Sequence, residues 1–399
     1  MYYSGSLLAV ESDMFIKAYR FIYMAALLFV MPMVVIATTE VRKITPPNLE
    51  VNHLGQKILC HRPMRHGSPN MSVEQIDGKV IAHNYGHGGS GWTLGPGSAA
   101  YVNQLLLNYH KAKGLTKESP ITIIGAGTIG LFTAYDLEKK GFKHLTIVAE
   151  KFDNLTSHNA GGLIAPVSMD NDPEKQRIID QIGIEAYKFY ASIATKKNKD
   201  FKEGAVIVPT YFENRAESGL EPYVGKVMQP AKNVILDFGN GTFRNMVSYD
   251  DGIFVDTAKM MIGLHQYLEK KKIVFVQKKI QSFAEIDTQY IINCSGLGSN
   301  MLNNDPEVVP VQGHLIMLKD QNARDLQYMI LVYFNEATTQ SGQKVKRSFY
   351  IFPKHLANTG RNDVGVIGGT FIEGASSTTP NEEEFDILLQ SAKKFYGIR

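Results

Sequence analysis

From Ile58 onward, short runs of apolar residues alternate with stretches in which apolar residues recur at helical spacing. Two of these runs, 121–124 and 145–149, are typical of buried strands, and residues 131–140 between them are typical of a helix. A further helix is predicted over 98–113, where an apolar face is formed by Val102, Leu105, Leu106 and Tyr109. The alternation predicts an α/β or α+β protein without internal repeats.

The first residues of the chain depart from this pattern. Phe21 to Ala37 form an uncharged run of about 17 residues that follows Lys17 and Arg20. With a translation start inside this segment, residues 14–40 have the charged start, apolar middle and small residues of a signal peptide. The alternatives are an uncleaved membrane anchor, for which the run is short, and a buried core helix. Residues 41–57 are polar, contain prolines and predict a linker.

The composition is that of a globular protein, since 44% of the 399 residues are hydrophobic and 20% are charged. The length predicts more than one domain, because a single core stops growing near ~250 residues. A formal net charge of +3, with Lys and Arg spread along the chain, argues against nucleic acid as a partner. The cysteines Cys60 and Cys294 lack the spacing of zinc ligands or of a disulfide framework, so no metal site is predicted.

The strand at 121–124 runs directly into Gly125-Ala-Gly127-Thr-Ile-Gly130, a G-x-G-x-x-G sequence that opens a helix. In dinucleotide-binding units the first glycine permits a tight turn and the second lets the backbone approach the pyrophosphate. The third lets helix and strand pack closely. Glu150 ends the next strand, about 20 residues later, where an acid can bond a ribose hydroxyl. NAD and FAD enzymes share this arrangement, so it predicts a dinucleotide without saying which.

A second glycine-rich segment, His83 to Thr93, has four glycines within six positions and precedes the helix predicted over 98–113. Such a loop brings backbone N–H groups close to a flat or anionic ligand. Taken alone, it is equally typical of a turn that leads into a helix, with His83 and His87 serving only as hydrogen-bonding residues.

Together with further segments, these loops resemble the D-amino acid oxidase family, which includes D-aspartate oxidase. The resemblance covers most of residues 58–394. The matching motifs are Gly125–Leu131; Glu150, Thr156 and Ser157; Asn159–Pro166; Gln277–Phe283, a strand whose backbone meets the adenine in the family; Asn293–Gly296; Gly313–Met317; Tyr350–Pro353; and Val366–Phe371.

Two motifs occupy a different place along the chain from that in the family. There, a strand ending in R-P-x-R and a glycine-rich loop with its helix come last, whereas here Arg62–Arg65 and His83–Thr93 come first. The chain is therefore predicted to be circularly permuted relative to the family. Such an order is tolerable because the segments that bind a cofactor need only meet in space.

The resemblance implies an α/β fold in which a Rossmann-type FAD-binding domain is interleaved with an antiparallel-sheet α+β substrate domain. The expected division is 58–80 for permuted substrate-domain strands, 81–170 for the FAD-binding domain, 171–276 for the first part of the substrate domain, 277–304 for the second part of the FAD-binding domain, and 305–399 for the rest of the substrate domain with its lid.

The resemblance also implies an FAD-dependent oxidoreductase. A D-amino acid or a glycine-like substrate would present its Cα–H to flavin N5, and hydride transfer would give an imino acid, then a 2-oxo acid and ammonia. Oxygen is the expected acceptor. Arg62 matches the arginine that holds the substrate carboxylate, a task that suits the planar guanidinium because it makes two parallel bonds. Tyr350 matches a second carboxylate partner.

The residues that the resemblance assigns to FAD lie in the phosphate loop, the turn after the second strand, the run of small residues and the loop along the isoalloxazine. That last loop would also stabilise negative charge on the ring through its N–H groups. The assigned residues are Gly125, Ala126, Gly127, Thr128, Ile129, Gly130, Glu150, Lys151, Thr156, Ser157, Gly161, Gly162, Leu163, Ile280, Ser295, Gly296, Gly86, Gly88, Gly89, Ser90, Gly91, Trp92 and Thr93.

One departure from the family leaves the substrate range open. Lys346 stands where mammalian members carry a lid tyrosine, and the segment 335–346 is longer and more polar. Lys346 either favours an acidic substrate side chain or is a solvated lysine.

Three alternative functions remain at this point. The uncharged run 21–37 is compatible with a membrane-associated amino acid dehydrogenase or deaminase that passes electrons to quinone. The unusual lid is compatible with an FAD-binding protein that has lost turnover, and the phosphate loop with a nicotinamide-dependent enzyme. An exported or membrane-anchored location is expected from the first residues.

Overall fold

The computed structural model describes residues 39–166, 169, 171–338, 342, 344–354 and 362–399. The chain divides into two units, Met1–Thr39 and Glu40–Arg399, and the second contains nearly all described residues. The predicted signal or anchor at 14–40 lies outside the described residues, apart from its last two positions. None of the helices that the structure describes is long and apolar enough to cross a bilayer.

A nine-stranded mixed sheet is the larger layer of Glu40–Arg399. Its β1–β9 pair (Glu40–Lys43 with Lys232–Asp237) and its β8–β15 pair (Thr210–Phe212 with Met329–Thr338) are parallel, and its other pairs are antiparallel. The antiparallel sheet expected from the sequence is therefore a mixed sheet, because these two pairs join strands far apart in the chain in a parallel arrangement. In spatial order the strands, numbered along the chain, are β1 (Glu40–Lys43), β9 (Lys232–Asp237), β10 (Phe243–Tyr249), β8 (Thr210–Phe212), β15 (Met329–Thr338), β16 (Lys344–Pro353), β17 (Asp363–Glu373), β14 (Val308–Lys319) and β2 (Leu54–Arg65).

A six-stranded sheet forms the second layer, and its first five strands are parallel. Its central strands are apolar and buried, as parallel sheets covered on both faces require. In spatial order the strands are β12 (Val274–Gln277), β6 (Leu145–Ala149), β5 (Ile121–Ile124), β13 (Tyr290–Asn293), β4 (Lys79–Tyr85) and β3 (Asn70–Ile76). A separate pair consists of β7 (Ala205–Ile207) and β11 (Ile253–Val255).

The mixed α/β class predicted from the sequence is confirmed, but one boundary differs. Residues 58–80 were expected to belong to the substrate domain, whereas β3 pairs with β4 at the edge of the six-stranded sheet. The two strands are joined by a two-residue turn, Asp77 and Gly78, both with positive φ. Such a turn keeps β3 on the same sheet as β4.

Seven α-helices accompany the sheets in the described residues: α1 (Gly91–Asn108), α2 (Thr128–Lys139), α3 (Thr156–Asn159), α4 (Pro173–Ala194), α5 (Thr257–Lys270), α6 (Ser299–Leu302) and α7 (Glu382–Tyr396). The longest, α4, begins where the Asp172 side chain accepts from the Lys175 N–H at 2.8 Å and proline occupies the first turn.

The helix α1 begins directly in the glycine-rich loop and ends at Asn108, so the predicted range 98–113 is shifted. Pro96 lies within it and cannot donate to the carbonyl group of Trp92. The Tyr190 hydroxyl donates to that carbonyl oxygen at 2.8 Å instead. A tertiary contact thus replaces the missing helical bond and lets the helix start early.

The predicted linker at 41–57 is wrong, because this segment packs on the nine-stranded sheet. β1 pairs with β9, and the Arg42 guanidinium lies 2.6 Å from the Asp250 carboxylate. Ile44 and Leu49 are buried in the apolar cluster that includes Phe385 of α7. Arg42 thus finds a partner at the sheet edge, and Ile44 and Leu49 face the core, whereas Val41 and Val51 are exposed.

Candidate active site

A cavity of ≈ 1690 Å³ is lined by residues of both sheets. Pockets for drug-sized ligands have volumes of roughly 300–1,000 Å³, so this cavity has room for a dinucleotide and a second small molecule. Its walls include the turn after β5, the start of α1, the segment that follows β6, and side chains of β2 and β16.

The turn from β5 into α2 has the close packing predicted for its glycines. A Cβ at Gly130 would overlap the carbonyl oxygen of Gly125, so only glycine fits there. Gly125, Ala126, Gly127, Thr128 and Ile129 line the cavity, whereas Gly130 does not. Gly130 thus acts on packing, and the N-terminus of α2 faces the cavity, where it favours an anion.

The end of β6 carries the predicted acid. Glu150 lines the cavity with Lys151, and its carboxylate lies 3.4 Å from the Lys279 ammonium group. The predicted strand over Gln277–Phe283 ends early, because β12 stops at Gln277. The chain still follows the cavity beyond that point, and Lys279 and Ile280 line it.

The segment Thr156–Leu163, which contains α3, is tied to three other elements. The Thr156 hydroxyl donates to the His61 carbonyl of β2 at 2.9 Å. The Ser157 hydroxyl accepts from the Thr128 N–H at 3.0 Å, and the Ser157 carbonyl accepts from the Trp92 indole at 2.9 Å. Thr156, Ser157, Gly161, Gly162 and Leu163 all line the cavity, as do Ser295 and Gly296 from the turn after β13.

The glycine-rich loop before α1 contributes most, but not all, of its predicted residues. Gly86, Gly88, Gly89, Gly91 and Trp92 line the cavity, whereas Ser90 and Thr93 do not. Both side chains are buried, and the Thr93 hydroxyl donates to the Ala165 carbonyl oxygen at 2.8 Å. Their assignment to the cofactor is therefore not supported by side-chain position.

His87 in this loop has a polar ring atom at the cavity wall that a bound ligand could pair with. Burial lowers the pKa of His87 to about 3, so its imidazole is neutral. Within the described parts of the chain its buried Nε2 has no hydrogen-bond partner, although the residue lines the cavity. Buried polar atoms are normally paired. The cavity therefore suits a large ligand with polar and anionic groups, and FAD meets this requirement.

Arg62 reaches the cavity from β2, at the edge of the nine-stranded sheet. Its Nη1 donates to the Thr370 carbonyl oxygen at 3.1 Å, and its guanidinium lies 5.8 Å from the centre of the Phe371 ring. Among the residues that the structure describes, no carboxylate forms an ion pair with Arg62. A charged guanidinium held in this way can accept an anionic partner in its remaining N–H directions.

Tyr350 lies in β16 opposite Gly368 of β17. A Cβ at position 368 would overlap the Tyr350 ring, so glycine provides the space for it. The ring stacks on Phe352 at 4.5 Å between centroids. Burial raises the pKa of Tyr350 to about 12, with the nearby Arg62 acting in the opposite direction. The phenol is thus protonated and can donate a hydrogen bond within the cavity.

Lys346, singled out as a departure from the family, lies in an exposed part of the β15–β16 hairpin and forms a 3.2 Å ion pair with Glu336. Residues 339–341 and 343 of the predicted lid lie outside the described residues. The described part of this segment continues the two strands, so its polar character comes from a solvent-exposed hairpin.

Two buried residues near the cavity were missed. Lys354 directly follows the Tyr350–Pro353 motif and is only 2% exposed, and His314 lies within the Gly313–Met317 motif and is fully buried. Lysines are mostly solvent-exposed, so nothing in the sequence indicated that Lys354 would be buried. The position of His314 in an apolar strand was a weak signal for the second.

The sequence is similar to FAD-dependent oxidoreductases, including D-amino acid oxidases. Residues 120–398 match the family DAO, described as FAD dependent oxidoreductase. The D-amino-acid oxidase of Dictyostelium discoideum is 24% identical over 284 residues, which cover 68% of this chain and 71% of that protein. The D-amino acid oxidase of Dugesia ryukyuensis is 26% identical over 290 residues, covering 68% and 76%.

Among solved structures, glycine oxidase from Geobacillus kaustophilus aligns with a TM-score of 0.49 and 14% identity, over 70% of this chain and 78% of that one. L-proline dehydrogenase from P. horikoshii has a TM-score of 0.47 and 13% identity, over 71% and 78%.

Proposed function

The chain belongs to the DAO family of FAD-dependent oxidoreductases, as its motifs predicted, and from this premise we propose that it oxidises the Cα–N bond of an amino acid. The product is an imino acid, which water converts to a 2-oxo acid and ammonia. The substrate is a D-amino acid or a glycine-like amine. The observation that carries the proposal is the guanidinium of Arg62, which has no carboxylate partner among the described residues and lies beside Tyr350 in the cavity.

In this proposal Arg62 and Tyr350 hold the substrate carboxylate. Arg62 is already oriented by its bond to the Thr370 carbonyl, which leaves other N–H groups for a bidentate contact. Tyr350 adds a neutral hydroxyl donor. Because the carboxylate is held from two strands, the Cα of the substrate has one preferred orientation, and orientation of this kind supplies much of the rate enhancement in such reactions.

FAD, when bound, supplies the two-electron acceptor for this oxidation. The phosphate-facing residues are the turn Gly125–Ile129 and the N-terminus of α2, and Glu150 is placed for a ribose hydroxyl. Gly86–Gly91 present backbone N–H groups at the start of α1, a position that favours negative charge. The neutral imidazole of His87 gains a partner for its Nε2.

We further propose that the preferred substrate side chain is not acidic. Leu163, Leu331 and Phe352 line the cavity as apolar residues. Nearby cations already have partners in the described residues: Lys346 pairs with Glu336, and the Arg347 guanidinium lies 2.7 Å from the buried Glu384 carboxylate. Arg62 remains for the α-carboxylate.

A visible absorption spectrum followed by anaerobic reduction tests this function. Purified protein is expected to be yellow from non-covalent FAD, and D-amino acids with uncharged side chains or glycine are expected to bleach it. Protein that takes up no flavin on reconstitution would refute the assignment. A flavoprotein that no amino acid bleaches would support the alternative without turnover.

Oxygen is the proposed final acceptor, with hydrogen peroxide as its product. Quinone is the alternative, favoured by the uncharged run 21–37. Peroxide formed in stoichiometric amounts without an added acceptor supports oxygen. Turnover that requires a quinone analogue supports the dehydrogenase.

We also propose that the mature protein is exported or membrane-anchored through residues 21–37, as the charged start and apolar run suggest. Cell fractionation with antibodies against the folded part tests the location. Full-length protein in the cytoplasmic fraction would contradict it.

The circular permutation is part of the proposal and has structural support. The Tyr328 hydroxyl lies 3.0 Å from the Tyr396 hydroxyl and donates to the Thr45 carbonyl at 3.1 Å. The C-terminal helix therefore ends close to the chain that leads into β2, as a join between these ends in the family order would require. The family match begins at residue 120, after the segments inferred to be displaced.

A further inference from the structure

Lys354, the residue directly after β16, is a buried lysine without an ion pair in the described parts of the chain, and its side chain is only 2% exposed. Its ammonium group donates to three oxygens: the Ala160 carbonyl at 2.7 Å, the Thr257 hydroxyl at 3.0 Å and the His158 carbonyl at 3.1 Å. Burying a charge is costly unless it is well bonded. Three acceptors match its three donors.

The two carbonyls belong to the end of α3 and the residue after it. The same segment continues into Gly161, Gly162 and Leu163, which line the cavity. Carbonyl groups at a helix end point outward without helical partners, and a cation there is favourable. Lys354 thus binds the carbonyl groups at the C-terminal end of α3, where the chain turns to run along the cavity wall.

Lys354 itself is attached to β16, the strand that contains Tyr350. Three residues separate Tyr350 from Lys354, and Phe352 is the middle one of them on β16. The Phe352 ring packs so closely on Gly161 that a Cβ there would lie 2.6 Å from ring atoms. Lys354 and Phe352 therefore join β16 to Thr156–Leu163 at two adjacent places, one polar and one apolar.

We propose that Lys354 is a positioning residue, which fixes the separation between the strand that holds the substrate carboxylate and the segment Gly161–Leu163 that faces the cofactor. The proposal rests on the function proposed above for Tyr350. Transfer between a substrate carbon and a cofactor depends steeply on their distance and alignment, so a loose junction would slow the reaction without releasing the substrate.

The charge of Lys354 responds to pH within an accessible range. Burial lowers its pKa to about 8, opposed by the nearby Asp256 and Cys60. His158 also faces it from α3, and burial lowers the pKa of His158, so that this imidazole is not a competing cation at pH 8. Above pH 8 the side chain becomes an amine with two N–H donors, and one of the three bonds is lost.

The test compares Lys354→Met with Lys226→Met, a substitution at an exposed lysine in a turn away from the cavity. In the FAD-loaded, full-length Lys354→Met protein, backbone amides of Thr156–Leu163 are expected to exchange hydrogen faster. FAD should dissociate about 10-fold more readily, and kcat should fall about 10-fold while KM changes less than about threefold. The Lys226→Met protein should match wild type in all four measurements.

Unchanged exchange, FAD affinity and kcat in Lys354→Met would overturn the proposal, and a rise in KM alone would do so as well. If that variant does not fold, Thr257→Val removes one acceptor and should shift the same quantities in the same direction. Wild-type protein adds a measurement without mutation: FAD affinity should weaken as pH rises through about 8, and a flat profile would count against the proposal. Exchange and FAD affinity need no turnover, so they distinguish this inference from a failure of the proposed reaction.

Discussion

Arg62 Nη1 donates to the carbonyl oxygen of Thr370 at 3.1 Å, so that a backbone group on β17 orients the guanidinium of β2. β2 and β17 are not neighbours in the sheet, because β14 lies between them. The side chain must therefore cross a strand to make this bond, and it passes over Gly313 of β14, where a Cβ would lie 2.7 Å from Nη2. The bond thus fixes the orientation of the Arg62 guanidinium in the cavity.

Arg62→Ala is expected to lower kcat/KM by about 100-fold or more, equivalent to ~3 kcal/mol of transition-state binding, because the substrate carboxylate loses its charged partner. Flavin content should stay at the wild-type level. Steady-state kinetics with D-alanine and an absorption spectrum measure both quantities. Arg324→Ala, at an exposed arginine outside the cavity, is the control. Normal turnover by Arg62→Ala would show that the carboxylate binds elsewhere.

Gly130→Ala should reduce stability by ~1–3 kcal/mol or more, because the new methyl group overlaps the Gly125 carbonyl oxygen. FAD content should fall with it, since the same turn faces the cavity. Chemical denaturation and flavin content test this. Gly263→Ala is the matched control: its Cβ would meet Phe201 at 3.6 Å, an ordinary contact, and alanine within α5 should stabilise by ~0.5–1 kcal/mol. Equal stability of the two variants would contradict the packing argument.

Adding FAD to apoprotein should quench tryptophan fluorescence, because the single tryptophan of the sequence, Trp92, lines the cavity. Emission titrated against FAD measures the affinity directly. Trp92→Phe should abolish the signal and cost ~1 kcal/mol through loss of the bond to the Ser157 carbonyl. Emission that stays constant while flavin binds would place the cofactor away from this loop.

Lys354 makes stability depend on pH in a defined direction. Its folded pKa of about 8 is below the ordinary 10.5, so between these values the unfolded chain binds more protons. Wild-type stability should therefore rise by about 3 kcal/mol relative to Lys354→Met as pH increases from 8 to 10.5. Below pH 8 the difference should be constant. Denaturation curves of both proteins across this range give the difference, in which other titrating groups cancel. A difference independent of pH between 8 and 10.5 would mean that folding does not lower the pKa of Lys354, so that the side chain stays charged over this range.

Moving residues 40–113 to follow Arg399, through a flexible linker of about eight residues, should give a protein that still binds FAD. The linker must span β1 as well as the short distance between Tyr396 and Thr45, which both bond to Tyr328. Closing a loop of this size costs little, because the cost grows only with the logarithm of length. Flavin content and melting temperature compare the two orders. Insoluble or flavin-free products from several linker lengths would contradict the proposed permutation.

Local sequence was sufficient for the features that depend on neighbouring residues. The strand, the glycines and the helix from Ile121 to Lys139 form one continuous unit, and the place of each glycine follows from backbone geometry alone. The family could be recognised for the same reason, since short motifs around Gly125, Tyr350 and Val366 carry it. Arg62 and Tyr350, the proposed carboxylate partners, were singled out through the motifs Arg62–Arg65 and Tyr350–Pro353, and the structure places both at one cavity.

Only the tertiary structure decided the features that depend on residues distant in the chain. From sequence alone the segment 41–57 is predicted to be a linker, because its partners, Asp250 and β9, lie about two hundred positions away in the chain. Ser90 and Thr93 share a motif with Gly89 and Gly91, yet the start of a helix turns successive side chains to different sides, and only packing determines which side faces the cavity. Lys354 is buried because α3 offers it two carbonyl oxygens, and no pattern within β16 records what will be placed opposite it. Burial and pairing of charge are properties of the assembled fold, which a local sequence pattern does not contain.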